Sequence, residues 1–174
     1  MADAETELML RVKAGDRAAF QQLFFAFQKP VLNYLYRLGR SVPLAEDLTQ
    51  ETFLRLWKAA ATYEPTAKVS TYVFRIAHNL YLNEAARRRE KAWEGTEEAA
   101  EHDPSADLQR REVQSAVQKA VESLPEGERE VILLSEFQGF KYAEIGEILG
   151  IPVGTVKSRM FSAVQKLKKL LTPR

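Results

Sequence analysis

The sequence has no cysteine and only two histidines, His78 and His102, among its 174 residues. The absence of cysteine excludes disulfides, thiolate metal sites and cysteine nucleophiles, and two histidines supply few ligands for a zinc centre. The longest aliphatic and aromatic run covers only residues 23–27, whereas a membrane span needs roughly 20 residues. The first residues are acidic, unlike the basic start of a signal peptide. We therefore expect a cytoplasmic protein that is not inserted in a membrane and has no metal, cofactor or small-molecule substrate.

The net charge of +1 is an average over unlike stretches of the chain. Residues 1–93 carry a net charge of +4, residues 94–108 carry −6 and residues 109–174 carry +3. The middle stretch has a single large aliphatic residue, so it cannot bury enough apolar surface to offset the entropy lost on ordering. We predict two small domains, 1–93 and 109–174, joined by a flexible acidic linker over 94–108.

Both predicted domains have the apolar spacing of amphipathic helices. Between Phe20 and Leu38 the apolar residues follow a helical period, and Pro30 within that stretch predicts a kink or a restart of the helix. Further helices are predicted over residues 45–58, 71–91, 108–122, 128–137, 142–149 and 155–171. No alternation of polar and apolar residues is long enough for a strand. The predicted fold class is all-α, with two small helical domains.

Residues 142–161 have the sequence of a helix-turn-helix. Gly150 can adopt the left-handed conformation that ends a helix, Pro152 prevents that helix from continuing, and Thr155 is predicted to cap the next one. The inward stripe of this second helix is predicted to comprise Val156, Met160, Ala163, Leu167 and Leu170. No acidic residue follows Pro152, and the amino-terminal end of such a helix enters the major groove of DNA. The pattern predicts DNA contact; the alternative is an amphipathic helix whose lysines only keep it soluble.

Three segments of the carboxyl-terminal part resemble the promoter-binding σ4 domain of bacterial sigma factors of the extracytoplasmic-function group. These segments are residues 124–134, 139–145 and 150–159. The resemblance implies recognition of the −35 promoter element by Thr155, Lys157, Ser158, Arg159, Phe161 and Ser162. The sequence departs from the family at Ser162 and Val164, where arginines are common, which predicts weaker phosphate contacts and a different base preference. It also has Gly146 where alanine is usual.

Residues 46–57 resemble the σ2 helix of the same family that docks on the clamp helices of RNA polymerase. The segment combines polar residues that can reach a partner with apolar anchors. The residues that the resemblance implies in core polymerase binding are Asp47, Leu48, Gln50, Glu51, Phe53, Arg55 and Trp57. Glu46, Asp47 and Glu51 could instead form a metal or acid–base cluster. No histidine lies nearby, however, and the helix dipole favours acidic residues in a first helical turn.

The segment from Thr71 to Asn83, followed by three arginines, resembles the part of σ2 that opens and reads the −10 promoter element. The resemblance implies DNA contacts by Tyr63, Lys68, Tyr72, Arg75, His78 and Asn79. The tyrosines offer stacking faces, the asparagine a bidentate amide, and Lys68 and Arg75 offer positive charge for phosphates. For His78 the residues leave two positions open, the helix surface and the DNA-contacting face. Tyr72 and Asn83 stand where the family commonly has tryptophan and aspartate.

The resemblance identifies the chain as an alternative sigma factor of this group. It implies that the protein binds core RNA polymerase through the clamp helices and the flap of the large subunits, and directs initiation at −10 and −35 elements. Factors of this group are commonly held by an anti-sigma protein. Three alternatives remain at this point: a helix-turn-helix regulator with a helical sensory or dimerisation domain, an enzyme acting on nucleic acid, and a helical adaptor. The sequence has no phosphate-binding glycine loop, which argues against the enzyme.

Overall fold

The computed structural model describes residues 3–93, Gly95 and residues 112–173. Within those ranges the chain forms eight α-helices and no strand, which confirms the all-α fold class. The chain divides into two compact units, Met1–Ala100 and Glu101–Arg174. Apart from Gly95, the predicted linker over 94–108 lies outside the described residues. No helix within the described ranges is both long enough and apolar enough to cross a membrane.

The first unit is built from four helices and one short 3-10 turn. The helices are α1 (Ala4–Lys13), α2 (Arg17–Gly39), α3 (Val42–Ala59) and α4 (Val69–Trp93), and the 3-10 turn is Ala60–Thr62. The sequence analysis did not predict α1. Its start is nevertheless encoded, because the Asp3 carboxylate accepts a 2.7 Å hydrogen bond from the Thr6 amide and caps the helix.

Helix α2 forms the centre of the first unit and packs against α1, α3 and α4. It runs through Pro30 as one helix, so of the two predicted outcomes, a kink or a restart, the restart is wrong. A proline inside a helix costs about 3 kcal/mol, but Phe27 and Val31 are buried on either side of it. Since a fully buried large apolar side chain contributes about 1.5–3 kcal/mol, this packing offsets the cost. The apolar stripe thus dictates one long helix.

The second unit contains four further helices. They are α5 (Glu112–Glu122), α6 (Glu126–Ile132), α7 (Tyr142–Leu149) and α8 (Val153–Leu171), with a π-helical turn over Leu133–Phe137 after α6. Helix α8 packs against α5, α6 and α7. Val156, Met160 and Ala163 of α8 are buried there together with Ile145 and Ile148 of α7, as a helix-turn-helix requires.

The turn between α7 and α8 is built on two glycines. Gly150 has φ 68° and ψ 36°, the left-handed conformation that the sequence predicts. At Gly146 an added Cβ would lie 2.9 Å from the Ile151 carbonyl oxygen, so the turn approaches the helix too closely for a side chain. The predicted capping by Thr155 is wrong. Helix α8 begins earlier, at Val153, because Pro152 already has the extended backbone of an N-cap residue and Thr155 falls within the first turn.

Candidate functional site

The amino-terminal half of α8 presents an exposed surface in the second unit. Lys157 and Ser158 are exposed, and Phe161 leaves 69% of its surface accessible. Val156 and Met160 are buried on the other side of the helix and fix its orientation. The surface combines a cation, a hydroxyl and an unburied aromatic ring, groups that can contact a phosphate, a base edge and a thymine methyl group.

Three residues on the flank of α8 contact α6; two of them are half-buried and Lys166 is exposed. Arg159, Ser162 and Lys166 follow each other at i, i+3 and i+7, so they share one side of the helix. Arg159 is half-buried, and an added Cβ at Gly127 would lie 3.2 Å from its guanidinium carbon. A side chain at residue 127 would therefore require the guanidinium of Arg159 to shift by a few tenths of an ångström.

Glu128 of α6 joins the other two residues of this flank. Ser162 Oγ donates to Glu128 Oε1 at 2.7 Å, and Lys166 Nζ donates to the same oxygen at 2.9 Å. The hydroxyl of Ser162 is the main cause that lowers the pKa of Glu128, and Lys166 lowers it further. Two of the predicted −35 contacts, Arg159 and Ser162, are therefore packed against α6.

The same end of α6 holds a buried carboxyl group. Glu130 is 7% exposed, and burial raises its pKa to about 7. The negative charge of Glu126 raises the pKa further, while Arg159 and Arg129 oppose the rise. Arg159 thus lies within electrostatic reach of an acid that titrates near neutrality.

An apolar groove of about 510 Å³ opens between α5, the end of α6 and the carboxyl-terminal part of α8. Its apolar lining includes Val117, Val121, Ile132, Phe137, Val164, Leu167 and Leu171, with Glu136 and Lys168 also lining it. Leu170, predicted to face inward, is 56% exposed, so that prediction is wrong. Leu170 lies in the last turn of α8 and is not among the residues that line the groove.

In the first unit, α3 presents the polar residues predicted to contact polymerase. Asp47, Gln50 and Arg55 are exposed, and Arg55 Nε lies 3.2 Å from Glu51 Oε1 in a surface ion pair. Across residues 3–93 and 112–173, no group of three or more histidine, aspartate or glutamate side chains could hold a metal ion. This surface is therefore polar and accessible but has no metal-binding arrangement.

The apolar residues of the same helix divide into buried and exposed groups. Leu48 and Phe53 are 9% and 3% exposed, so they anchor the helix from its buried side, as expected of the apolar residues in this segment. Trp57 is 38% exposed and packs edge-on against Phe20, with ring centroids 5.2 Å apart. Leu54 is 56% exposed beside the polar residues and was missed by the sequence analysis. Its position at i+4 from Gln50, on the polar side of the helix, was the available signal.

Helix α4 presents three of the predicted −10 contacts on one face. Tyr72, Arg75 and Asn79 follow each other at i, i+3 and i+7; Tyr72 is half-buried and the other two are exposed. A ring, a guanidinium and an amide along one helix face can stack on a base, contact a phosphate and read a base edge. Lys68, which is also exposed, precedes the helix in the loop that leads to this face.

Two further −10 predictions are contradicted by burial. Tyr63 is 3% exposed, and its ring centroid lies 5.7 Å from that of Tyr72. Its ring therefore packs against Tyr72 inside the protein and is not available to stack on a base. His78 is 2% exposed, and its Nδ1 lies 3.0 Å from the Tyr34 hydroxyl in the core. Burial lowers the pKa of His78 to about 4, which keeps the ring neutral.

The loop before α4 is attached to α1. Lys13 Nζ donates to the Tyr63 carbonyl oxygen at 2.8 Å. The positive charge of Lys68 lowers the pKa of Asp3, although the main cause there is the Thr6 amide, and it opposes the rise that burial produces in the pKa of Glu5. Helix α1, which the sequence analysis missed, thus holds the loop at one end and faces its lysine with acidic groups.

Comparison with known proteins accounts for both units. Residues 23–91 match the family model of sigma-70 region 2, and residues 114–167 match that of sigma-70 region 4. The chain is 30% identical to the RNA polymerase sigma-H factor of Pseudomonas aeruginosa, over 98% of this chain and 95% of that protein. The chain belongs to the sigma-70 family. It is also 30% identical to the ECF RNA polymerase sigma factor SigW of Bacillus subtilis, over 92% of this chain and 93% of that one.

The fold of this sigma factor agrees with that assignment. The structure of the sigma factor RpoE of Bartonella quintana, solved with the anti-sigma factor NepR, superposes with a TM-score of 0.74 at 25% identity. The match covers 87% of this chain and 96% of that one. The protein is an extracytoplasmic-function sigma factor that directs promoter-specific transcription by RNA polymerase. A regulator with a sensory domain would leave the region 2 match unexplained.

Proposed function

We propose that this sigma factor recognises the −35 element through Lys157, Ser158 and Phe161 of α8. The observation that carries the proposal is the exposed, acid-free surface that these residues form on a helix fixed by its buried side. Arg159 and Ser162 border this surface but are held by α6. Base reading is therefore concentrated in the amino-terminal half of α8, with Ser162 at its edge, and Arg159 acts mainly by fixing the helix. Thr155 is half-buried, and its backbone carbonyl oxygen accepts a 3.0 Å hydrogen bond from the Ser158 hydroxyl. Its contribution is therefore made through the backbone.

For the −10 element, the exposed face of α4 supplies the contacts. Arg75 and Asn79 are the side chains available for phosphate and base, and the ring of Tyr72 offers a stacking face that Tyr63 supports. Lys68 adds positive charge before the helix. Asn79 can form a bidentate pair with adenine, so an adenine within the element is the expected preference.

The exposed side of α3 docks on the clamp helices of core RNA polymerase. Asp47, Gln50, Glu51 and Arg55 provide polar contacts there, and Leu54 and Trp57 provide the apolar part. Leu48 and Phe53 hold the helix from its buried side. In the second unit, the open groove beside α8 is suited to an amphipathic helix of the flap, because apolar side chains line it and ionic groups flank them.

The protein supplies recognition, and the chemistry of RNA synthesis belongs to core polymerase, so it is not itself an enzyme. Its place of action is then the cytoplasm, where the polymerase and the promoters are. An anti-sigma factor is a further expected partner, because the matched RpoE was solved in complex with one. Such a partner would compete with polymerase for the exposed side of α3 or for the groove beside α8.

Run-off transcription with purified core polymerase tests the assignment on promoters randomised in either element. Lys157→Ala and Phe161→Ala should change the −35 preference and leave the −10 preference intact, while Asn79→Ala should do the reverse. Each true base contact is expected to be worth about 1–3 kcal/mol. Promoter-specific transcripts that persist without the protein, or variants that leave both preferences unchanged, would refute it.

Docking on the clamp is tested separately with a matched pair of leucines. Leu54→Ala should weaken binding to core polymerase and reduce transcripts from every promoter alike, because it removes an apolar contact made with the enzyme and not with DNA. Leu10→Ala removes a leucine that is 40% exposed on α1 and serves as the control. If the two variants bind core polymerase equally well, Leu54 is not part of the interface.

A further inference from the structure

The contact between Glu128 and Ser162 fixes the direction of one hydroxyl group beside the exposed surface of α8. Ser162 lies one turn after Ser158 and directly follows Phe161, and it is half-buried rather than enclosed. Its Oγ is 2.7 Å from Glu128 Oε1. An ionised carboxylate has no hydrogen to donate, so the single proton of the serine hydroxyl must point towards Glu128.

The ionised state of Glu128 is secured by its surroundings. The hydroxyl of Ser162 and the ammonium group of Lys166 both lower the pKa of Glu128, and Lys166 Nζ binds the same oxygen at 2.9 Å. Because Glu128 stays ionised, its Oε1 keeps accepting from Ser162 Oγ, and the serine proton stays directed at the carboxylate. The lone pairs of Ser162 Oγ then remain as its only hydrogen-bonding capacity towards a ligand.

A hydroxyl that can only accept distinguishes the bases in the major groove. Cytosine and adenine present an amino donor there, whereas guanine and thymine present acceptors at the corresponding position. A freely rotating serine would serve either class, because it can donate or accept.

We propose that Glu128 is a specificity-determining residue of the −35 interface, because it orients the Ser162 hydroxyl so that the neighbouring base must carry an amino donor. The inference rests on the proposed −35 role of α8. Glu128 acts through Ser162 and is a positioning residue, while Ser162 is the residue that touches the base. The same contact holds Lys166 against a negative charge, so that lysine contributes little to phosphate binding.

Substitutions of Glu128 test the charge and the hydrogen bond. Glu128→Gln removes the negative charge and leaves an amide that can accept from Ser162 or donate to it, whereas Glu128→Ala removes the charge and the hydrogen bond. Ser162→Ala removes the hydroxyl alone. Glu147→Gln and Glu147→Ala, at an exposed position of α7, change the charge of the same unit to the same extent and are the controls.

The measurement is promoter selection by the full-length protein with core polymerase on a library randomised in the −35 element. Wild type should prefer, at one base pair, the orientation that presents the amino group of cytosine or adenine to Ser162, by about three- to tenfold, the value of one hydrogen bond. Glu128→Gln should keep only part of this preference, because its amide can also donate to Ser162 Oγ and release the serine proton. Glu128→Ala and Ser162→Ala should reduce that preference below about twofold. The Glu147 variants should behave as wild type.

Salt dependence of promoter binding by the same holoenzymes gives an independent readout. Both Glu128 variants should steepen the slope of log K against log salt by about one, because Lys166 becomes available to a phosphate. Ser162→Ala should leave the slope unchanged.

The outcomes distinguish the two proposals. If Lys157→Ala and Phe161→Ala change the −35 preference but Glu128→Ala only weakens all promoters equally, Glu128 is structural and the inference is overturned alone. If neither α8 variant alters the −35 preference, the proposed function of α8 fails and the inference fails with it. Each base pair carries one amino donor in the major groove, on the cytosine or adenine of one of its strands. A −35 preference that Ser162→Ala leaves unchanged would therefore overturn the role of the oriented hydroxyl.

Discussion

Lys13 of α1 binds the backbone carbonyl of Tyr63, fifty residues further along the chain, at 2.8 Å. This contact joins a helix with no predicted role to the loop that precedes the face of α4 proposed to contact the −10 element. The Tyr63 ring in turn packs against Tyr72 on that face. The position of Tyr72 therefore depends on a charge in α1.

Lys13→Met should loosen this loop. Because a buried or half-buried hydrogen bond to a charged group contributes about 1.5–3 kcal/mol, we expect a loss of that order in the stability of the first unit. Transcription from promoters with a suboptimal −10 element should fall several-fold while the −35 preference is unchanged. Lys29→Met, an exposed lysine on α2, is the matched control. An unaltered −10 dependence in Lys13→Met would leave α1 with a purely structural role.

The buried His78 should make the first unit sensitive to acid. Its pKa is lowered to about 4 in the folded protein by burial, whereas the unfolded chain binds the proton near pH 6.5. Between those values the unfolded state binds more protons, so stability is complete above pH 6.5 and is lost as the pH falls towards 4. Both tryptophans, Trp57 and Trp93, belong to the first unit, so tryptophan fluorescence during thermal unfolding reports this loss. His78→Phe should have a flatter profile over the same range, and a profile as steep as that of wild type would exclude His78 as the cause.

The buried Glu130 should give the second unit the opposite dependence. Burial and the charge of Glu126 raise its pKa to about 7, against the opposing effect of Arg159 and Arg129. Between the ordinary value near 4.3 and pH 7 the folded state holds the proton and the unfolded state does not, so stability is lost as the pH rises through that window. Far-UV circular dichroism detects the unfolding of both helical units, whereas tryptophan fluorescence detects only the first. The transition seen by circular dichroism alone is that of the second unit. Glu130→Gln should abolish the dependence, and a second transition that stabilises with rising pH would contradict the assignment.

The substitution Gly146→Ala has two opposing effects on the stability of the second unit, a higher helix propensity and steric crowding. Alanine is favoured over glycine in a helix by about 1 kcal/mol, but the new Cβ would lie 2.9 Å from the Ile151 carbonyl oxygen, a backbone atom. Overpacking costs about 1–3 kcal/mol, so we expect a net destabilisation of the second unit by about 1 kcal/mol. Denaturant unfolding measures it, with Gly154→Ala, where nothing lies within 4 Å of the added Cβ, as the control. A net gain in stability would mean that the turn moves away from α7 at little cost.

The helix-turn-helix could be predicted from sequence because local rules dictate it. Gly150 has the left-handed conformation, and Val156 and Met160 face inward as their spacing requires. The exposure of Leu170 could not be predicted in this way, since periodicity gives the side of a helix but not whether a neighbour covers it. A groove at the end of α8 is a property of the packing of three helices.

The burial of polar residues is the second feature that could not be predicted from the sequence. His78 and Tyr63 have polar groups that suit DNA, yet both are buried. His78 lies on α4, which is buried over a wide arc that includes Phe74, Ala77 and Tyr81. Tyr63 follows the 3-10 turn before that helix, and its ring packs against Tyr72. A polar side chain on such a helix can turn inward when a partner such as the Tyr34 hydroxyl is present. Helix α1 was missed for a different reason: its buried residues are few, Thr6, Met9 and Val12, and its start is defined by a cap rather than by a long apolar pattern.

Arg159, Ser162 and Lys166 of α8 form a row that lies against Gly127 and Glu128 of α6. This arrangement has an evolutionary consequence. The same atoms hold α6 to α8 and border the surface that we propose to read the −35 element. A lineage cannot exchange one of them without disturbing the other function, so promoter preference should drift by paired replacements. Among relatives, residues 128 and 162 are expected to covary, as are 127 and 159, and the regulon of each lineage should change when the pair changes.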